Sequence, residues 1–289
     1  MSTRTCLLPA CAVLSAILLS GAAPVPAAPA PAAPPAAVVL TPHRAIYDLK
    51  LLRTRGRGDI EAVRGRIVYD FSGSACAGYA LNFRQVSEME STEASKSVLS
   101  DLRSTTWEEG GAKRFHFTSQ NYVNDRNVDT VEGNAERDAN HVEVKLDKPT
   151  DKSFDLERAM VFPTEQMRLI IEAARAGKTI LQLPVYDGSD NGEKVYSTMT
   201  VIGHAIGPDV KVTDAAAGQA ALAGLTRWPV TISYFDRNDK QRGEQTPVYA
   251  ISFELYENGI SRALELDYDD FVVAGTMSRL DIKPPPECK

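Results

Sequence analysis

Apolar and polar residues alternate along most of this chain, which is the pattern of β-strands with one buried face. In four stretches every second residue is a large apolar one: Ile67, Tyr69 and Phe71; Tyr79, Leu81 and Phe83; Val142, Val144 and Leu146; Ile251, Phe253 and Leu255. Turn-forming pairs such as Asn258-Gly259 separate stretches of this kind. The pattern predicts about a dozen antiparallel strands, arranged as a meander or barrel.

One segment, after Phe162, follows a helical period instead. Its apolar residues recur at helical spacing, at Met167, Ile170, Ile171 and Ala174. We expect Thr164 to cap this helix and Gly177 to end it. A barrel of about eight strands fills itself with side chains, whereas a wider one leaves a lumen. A dozen strands and a single helix therefore predict an open barrel that the helix partly plugs.

A second segment, from Asp214 to Leu225, is rich in alanine. Its low complexity is compatible with a helix or with a mobile connection, and the sequence does not decide between them.

The N-terminus has the pattern of a secretory signal: Arg4, an apolar run from Leu7 to Leu19, and small residues after it. The run is shorter than the roughly 20 residues of a membrane-spanning helix, so we expect contact with a membrane to be peripheral at most. We assign residues 1–27 to the signal peptide, 28–40 to a Pro/Ala-rich tether and 41–289 to a single β domain. In an alternative reading, Leu8 to Cys11 form a lipoprotein cleavage box and Cys11 is lipidated. Because the apolar run continues beyond Cys11, we favour cleavage between Ala22 and Ala28.

Two cysteines, Cys76 and Cys288, remain once the predicted signal is removed. An exported protein matures in an oxidising compartment, where an even number of cysteines indicates disulfide bonding. We therefore predict a Cys76–Cys288 disulfide. The alternative is a pair of unpaired buried thiols.

Charge and motifs exclude several classes of function. The chain has 32 Lys and Arg against 38 Asp and Glu, a net charge of −6, and its basic residues form no stripe. We therefore expect no nucleic-acid partner. The sequence contains no nucleophile elbow, zinc-protease motif, phosphate loop or Cys-x-x-Cys pair, and we expect no cofactor.

Two groups of acidic residues could suggest a catalytic or metal site. The run from Asp187 to Gly192 resembles the start of a calcium loop, but its twelfth position is Thr198 rather than a glutamate, so we interpret it as a hairpin turn without metal. Glu108 and Glu109 are adjacent and point to opposite faces of a strand, which makes a shared catalytic role impossible. No residue is predicted to be catalytic.

Several longer segments, in this order and spacing, resemble the EipB family of periplasmic cell-envelope integrity proteins. They are Pro42-His-Arg-Ala-Ile-Tyr-Asp-Leu49, Phe162-Pro-Thr164, Val185-Tyr-Asp-Gly-Ser-Asp190, Trp228-Pro-Val-Thr-Ile-Ser-Tyr-Phe235, Tyr256-Glu-Asn-Gly-Ile-Ser-Arg-Ala-Leu264, Leu266-Asp-Tyr-Asp-Asp-Phe271 and Pro286-Glu-Cys288. The resemblance runs from about Pro42 to Cys288.

The resemblance implies a fold and a set of partners. The fold is a β-spiral, an open or broken antiparallel β-barrel with one central amphipathic helix, similar in outline to the lipoprotein carriers LolA and LolB. A disulfide joins an early strand to the C-terminus, a role that falls on Cys76 and Cys288. The family is linked to envelope stability under stress and to a periplasmic partner with tetratricopeptide repeats. Its cavity is proposed to hold a lipid-like ligand.

Three functional hypotheses follow. The first is a non-enzymatic binding protein that holds a lipid-like or hydrophobic ligand in the barrel lumen, near Tyr79, Phe83, Met167, Ile170 and Ile171. The second is a scaffolding protein whose exposed strand edge or acidic surface docks a periplasmic repeat protein. The third is a hydrolase.

Overall fold

The structure is a computed structural model that describes residues 37–55, 60–91, 97–237 and 245–288. The predicted signal peptide lies outside these residues. The tether prediction is wrong at its C-terminal end, because Val38 and Leu40 are only 7% and 4% exposed and belong to the hydrophobic core. The chain from Ala37 onward forms one compact unit.

Fourteen strands and one α-helix make up the described part of the chain. The strands are β1 (His43–Thr54), β2 (Ile60–Ser74), β3 (Gly78–Ser91), β4 (Ser97–Glu108), β5 (Arg114–Val123), β6 (Arg126–Arg137), β7 (His141–Lys148), β8 (Lys152–Glu157), β9 (Ile180–Val185), β10 (Tyr196–Ile202), β11 (Arg227–Asp236), β12 (Tyr249–Tyr256), β13 (Ser261–Asp267) and β14 (Phe271–Ile282). The helix α1 (Pro163–Arg175) lies between β8 and β9 in sequence, and a short 3₁₀ helix covers Ala215–Ala217. The predicted fold class, mainly β with a single amphipathic helix, is confirmed.

All fourteen strands belong to one antiparallel sheet that does not close on itself. Its order is β8-β7-β6-β5-β4-β3-β2-β1-β14-β13-β12-β11-β10-β9, so strands that are consecutive in sequence pair with each other except β8 and β9, and β1 also pairs with β14. The two edge strands, β8 and β9, are the two strands that flank α1. Val161, just before the helix, forms an isolated parallel bridge with Val185 of β9. The sheet is therefore an open barrel, as the strand pattern predicted.

The helix occupies the interior of this barrel. Ile170 and Ile171 are fully buried, and they belong to a core formed with residues of β1, β2 and β11 to β14. A second core lies under β5 to β7 and is built from Phe115, Phe117, Val131, Val142, Val144 and Leu146, with Phe162 and Tyr186. The predicted apolar faces of the strands and of α1 point into these two cores.

The ends of α1 follow from local chemistry. Pro163 stands at the first helical position, where its missing N–H costs nothing. The helix therefore begins two residues earlier than predicted, with Phe162 rather than Thr164 at the cap position. At the other end Gly177 has φ 71°, and the amides of Gly177 and Lys178 bond to the carbonyls of Ala174 and Ala173. This is a Schellman motif, and the predicted stop at Gly177 is confirmed.

The alanine-rich segment from Asp214 to Leu225 is a packed connection rather than a long helix. After its single 3₁₀ turn it continues through turns, and Ala217 and Leu222 are buried. Asp214 is ion-paired with Arg262 of β13, both side chains are nearly inaccessible, and Arg262 also pairs with Glu254. The segment does not form a long helix, and the buried Asp214–Arg262 pair fixes it to the sheet.

The predicted disulfide is present between Cys76, in the turn from β2 to β3, and Cys288. It links residues 212 positions apart and ties the C-terminal segment beyond β14 to the first half of the sheet.

Candidate functional site

A cavity of about 200 Å³, the central cavity, lies between α1 and the inner face of the sheet. None of the described residues that line it is charged, and its walls are mostly aromatic and aliphatic: Tyr69, Phe71, Leu81, Ile232, Ile251 and Phe253. The helix contributes Met167 and Ile170. Apolar walls with few polar groups are typical of sites that bind hydrophobic small molecules.

Two neutral polar side chains stand in the wall of the central cavity. Gln166, 5% exposed, donates a hydrogen bond to the Thr198 hydroxyl (3.4 Å), and Tyr234 hydrogen-bonds to Gln166. Burial raises the pKa of the Tyr234 hydroxyl, which keeps it protonated. The pair therefore offers neutral hydrogen-bonding groups to whatever occupies this space.

The N-terminal end of α1, which forms one end of the central cavity, is held by a carboxylate from β4. The two oxygens of Glu108 accept hydrogen bonds from the backbone amides of Thr164 (2.7 Å) and Glu165 (2.8 Å). These amides lack partners within the helix, and a negative charge is favourable at this end of the helix dipole. Glu108 is only 3% exposed, and this burial raises its pKa to about 7.

A second cavity of about 400 Å³, the side cavity, adjoins the first, since Leu81, Thr106 and Pro163 line both. Phe83 and Phe117 supply apolar walls. The polar lining consists of Ser104, Ser119, Asn121, Asp129, Asp187, Ser189 and Asp190. The interior thus changes from uncharged and largely apolar around α1 to acidic beyond Pro163.

The acidic wall of the side cavity includes the loop that resembled a calcium site. It connects β9 and β10 as a hairpin loop, in which Asp187 accepts a bond from the Ser189 amide (3.0 Å). Gly188 has φ 69°, and a Cβ on it would lie 2.3 Å from the Phe117 ring, so this position requires glycine. Among the described residues no group of three or more His, Cys, Asp or Glu is arranged to hold a metal ion. Burial raises the pKa of Asp187.

The residues predicted to surround a lumen are divided between three places. Met167 and Ile170 line the central cavity, and Phe83 lines the side cavity. Tyr79 and Ile171 are buried in the core and line neither of these cavities. Tyr79 instead stacks on Phe71, with 5.4 Å between ring centroids.

Sequence reasoning missed three residues of this site. Glu108 was considered only as half of a carboxylate pair, and it acts as a cap for a helix that begins 55 residues later. Gln166 belongs to no motif, and Tyr234 entered only as part of the segment from Trp228 to Phe235 that resembles the family. A buried glutamine at a core position of a helical pattern is the one signal that could have pointed to a polar group in the cavity.

The carboxylate Glu109, next to Glu108, lies outside the site. It accepts a hydrogen bond from Arg114 (3.1 Å), so the two glutamates have separate partners, as their strand positions predicted.

The fold and the site define a protein that wraps an open β-barrel around one helix and has two adjoining cavities beside that helix. The model of the family described as EipB-like matches residues 34–284, and the chain belongs to that family. It is 39% identical over 249 residues to the cell envelope integrity protein EipB of Brucella abortus (strain 2308), covering 86% of each chain.

The same architecture occurs in a solved crystal structure, a beta-barrel-like protein of domain of unknown function DUF1849 from Brucella abortus. The two structures agree with a TM-score of 0.79 at 38% sequence identity, over 86% of this chain and 100% of the other.

Proposed function

We propose that this chain is a non-enzymatic periplasmic protein that supports cell-envelope integrity by holding a lipid-like or hydrophobic ligand in its central cavity. Membership of the EipB-like family and the name of the Brucella relative support the envelope role. The disulfide supports an oxidising compartment such as the periplasm, in agreement with the signal-like N-terminal sequence.

The ligand-binding part of the proposal rests on one observation, the apolar cavity between α1 and the sheet. A well-packed interior contains few voids larger than a water molecule. Here about 200 Å³ is open beside Met167 and Ile170, and a second space of about 400 Å³ adjoins it. An apolar ligand would bury the exposed parts of these walls and gain hydrophobic free energy.

The test uses native mass spectrometry and solvent extraction of the protein purified from a periplasm without detergent. We expect a reproducible bound apolar molecule in the wild type and its loss in Met167→Glu, which places a charge in the uncharged cavity. Met167→Trp, which narrows the cavity without adding charge, should also lower occupancy. Ile180→Glu is the matched control, because Ile180 is 60% exposed on the outside of β9. Equal occupancy in all four proteins, or none in the wild type, would contradict the proposal.

A second function, docking of a protein partner, is favoured by the outer face of edge strand β9. Ile180 and Val201 are directly opposite each other in the β9–β10 register and are 60% and 47% exposed. A surface groove of about 460 Å³, lined in part by Pro184, Met199 and Phe235, lies on the same pair of strands. An edge strand with apolar side chains is suited to strand addition by a partner.

The partner expected from the family resemblance is a periplasmic repeat protein. Affinity capture from the envelope fraction should then return one stoichiometric protein with the wild type and Met167→Glu, and lose it with Ile180→Glu. Recovery of no such protein would count against docking. A screen of ester and amide substrates tests the non-enzymatic part of the proposal, and turnover that is lost in a site variant would contradict it.

A further inference from the structure

We propose that the ligand is an amphiphile whose head group carries a positively charged nitrogen, with its apolar part in the central cavity and its head group in the side cavity. This inference rests on the proposed ligand-binding function and adds the chemical class of the ligand. It is carried by the adjacency of the two cavities at the start of α1 and by the difference in charge between them.

The two cavities lie next to each other at the start of α1, because Leu81, Thr106 and Pro163 line both of them. We infer that one molecule occupies both. None of the described residues lining the central cavity is charged, which suits an alkyl or acyl chain. The apolar chain of such a molecule would lie in the central cavity, and its polar end would lie in the side cavity.

Charge in the side cavity selects the head group. Of its described lining residues three are aspartates, Asp129, Asp187 and Asp190, and none is lysine, arginine or histidine. Asp190 is neutralised by Lys194 at 2.6 Å. Asp129 and Asp187 form no ion pair within the described part of the chain, although Asp187 is partly removed from water. A cationic group would supply the missing counter-charge, whereas a phosphate or sulfate would be repelled.

The remaining walls of the side cavity fit the same head group. Phe83 and Phe117 offer ring surfaces to an ammonium ion, which aromatic faces attract electrostatically. Ser104, Ser119 and Asn121 can accept hydrogen bonds from its N–H groups. The side cavity thus has both carboxylates and aromatic rings in its wall, and both kinds of group attract a cationic head group.

The test compares three probes with the same twelve-carbon chain, each below its micelle concentration: dodecylammonium, dodecyl sulfate and dodecyl maltoside. Affinities are measured by titration calorimetry, and near-ultraviolet circular dichroism verifies that each protein stays folded. We expect the ammonium probe to bind about tenfold tighter than the other two, the effect of a single partly desolvated ion pair with aromatic contact.

Substitutions in the side cavity test which residues cause the tighter binding of the ammonium probe. Asp187→Asn and Asp129→Asn should each reduce it severalfold without changing the binding of the maltoside, and the asparagine at 187 keeps an oxygen for the Ser189 amide. Asp147→Asn is the matched control, since Asp147 is an exposed residue of β7 and its substitution changes the net charge equally. It should leave the preference intact.

Three outcomes would overturn the inference. If all three probes bind equally, or both site variants keep the full preference for ammonium, the head-group assignment fails while the ligand-binding function stands. If none of the probes binds, the proposed function fails as well.

Discussion

Replacing Glu108 with glutamine should change how the stability of this protein depends on pH. Glu108 is buried, yet both its oxygens accept backbone amides at the start of α1. Burial is the largest influence on its pKa, which rises from 4.5 to about 7 in the folded protein, and the nearby Glu165 adds to the rise. The two amide hydrogen bonds act in the opposite direction.

The sign of the effect follows from proton binding. Between pH 4.5 and about 7 the folded protein holds a proton on Glu108 that the unfolded chain has lost. The contribution of Glu108 to the free energy of unfolding is therefore fully present below pH 4.5 and is lost as the pH rises through 7. Since one pKa unit corresponds to 1.36 kcal/mol, the loss amounts to about 3 kcal/mol. Glutamine does not titrate, so the variant should lack this contribution.

Urea unfolding of wild type and Glu108→Gln at several pH values from 4 to 8 measures the effect. Subtracting the two curves cancels the other titrating groups. The stability of the wild type relative to the variant should then fall by about 3 kcal/mol between pH 4.5 and pH 8. Glu109→Gln is the matched control, because it removes the same charge one residue away, outside the helix cap. Parallel curves for wild type and Glu108→Gln would refute the assignment.

Three further substitutions test the packing of the fold. In Cys76→Ser the loss of a 212-residue cross-link should lower the free energy of unfolding by up to about 5 kcal/mol and the melting temperature by about 10 °C or more, and equal melting of the two proteins would show that the bond is immaterial. Asp214→Ala leaves the buried Arg262 to share Glu254 with Arg227 and should cost about 3–5 kcal/mol in urea unfolding, whereas a cost under 1 kcal/mol would mean that the pair does not fix its segment. In Gly188→Ala the new Cβ meets Phe117, so the melting temperature should fall by several degrees; an unchanged value would contradict that contact.

The strands and the helix were predictable because their signals are local. Alternation places Val142, Val144 and Leu146 on one face of a strand whatever their partners are, and all three are buried. The period of α1 and its glycine stop are equally local. The disulfide was predictable from the compartment and from an even number of cysteines, which required no structure at all.

The site was less predictable because it depends on contacts between residues distant in sequence. Glu108 is 55 residues from Pro163, and its capping role exists only because the barrel brings the end of β4 to the start of α1. The predicted tether, residues 28–40, reaches too far toward the C-terminus because a local signal in the sequence was overlooked. Alanine- and proline-rich composition masked the short alternation of Val38 and Leu40, which is sufficient to bury both against the core.

The most direct test of the central claim is to map where a ligand binds. An alkyl maltoside, whose head group is uncharged, would carry a photoreactive diazirine on its alkyl chain, be bound to the mature protein and be irradiated, and the cross-links would be located by peptide mass spectrometry. The account predicts cross-links to α1 at or near Met167 and to β11 and β12 around Ile232 and Phe253, and their loss in Met167→Trp. Cross-links confined to the outer face around Ile180 and Val201, or unaffected by Met167→Trp, would contradict it.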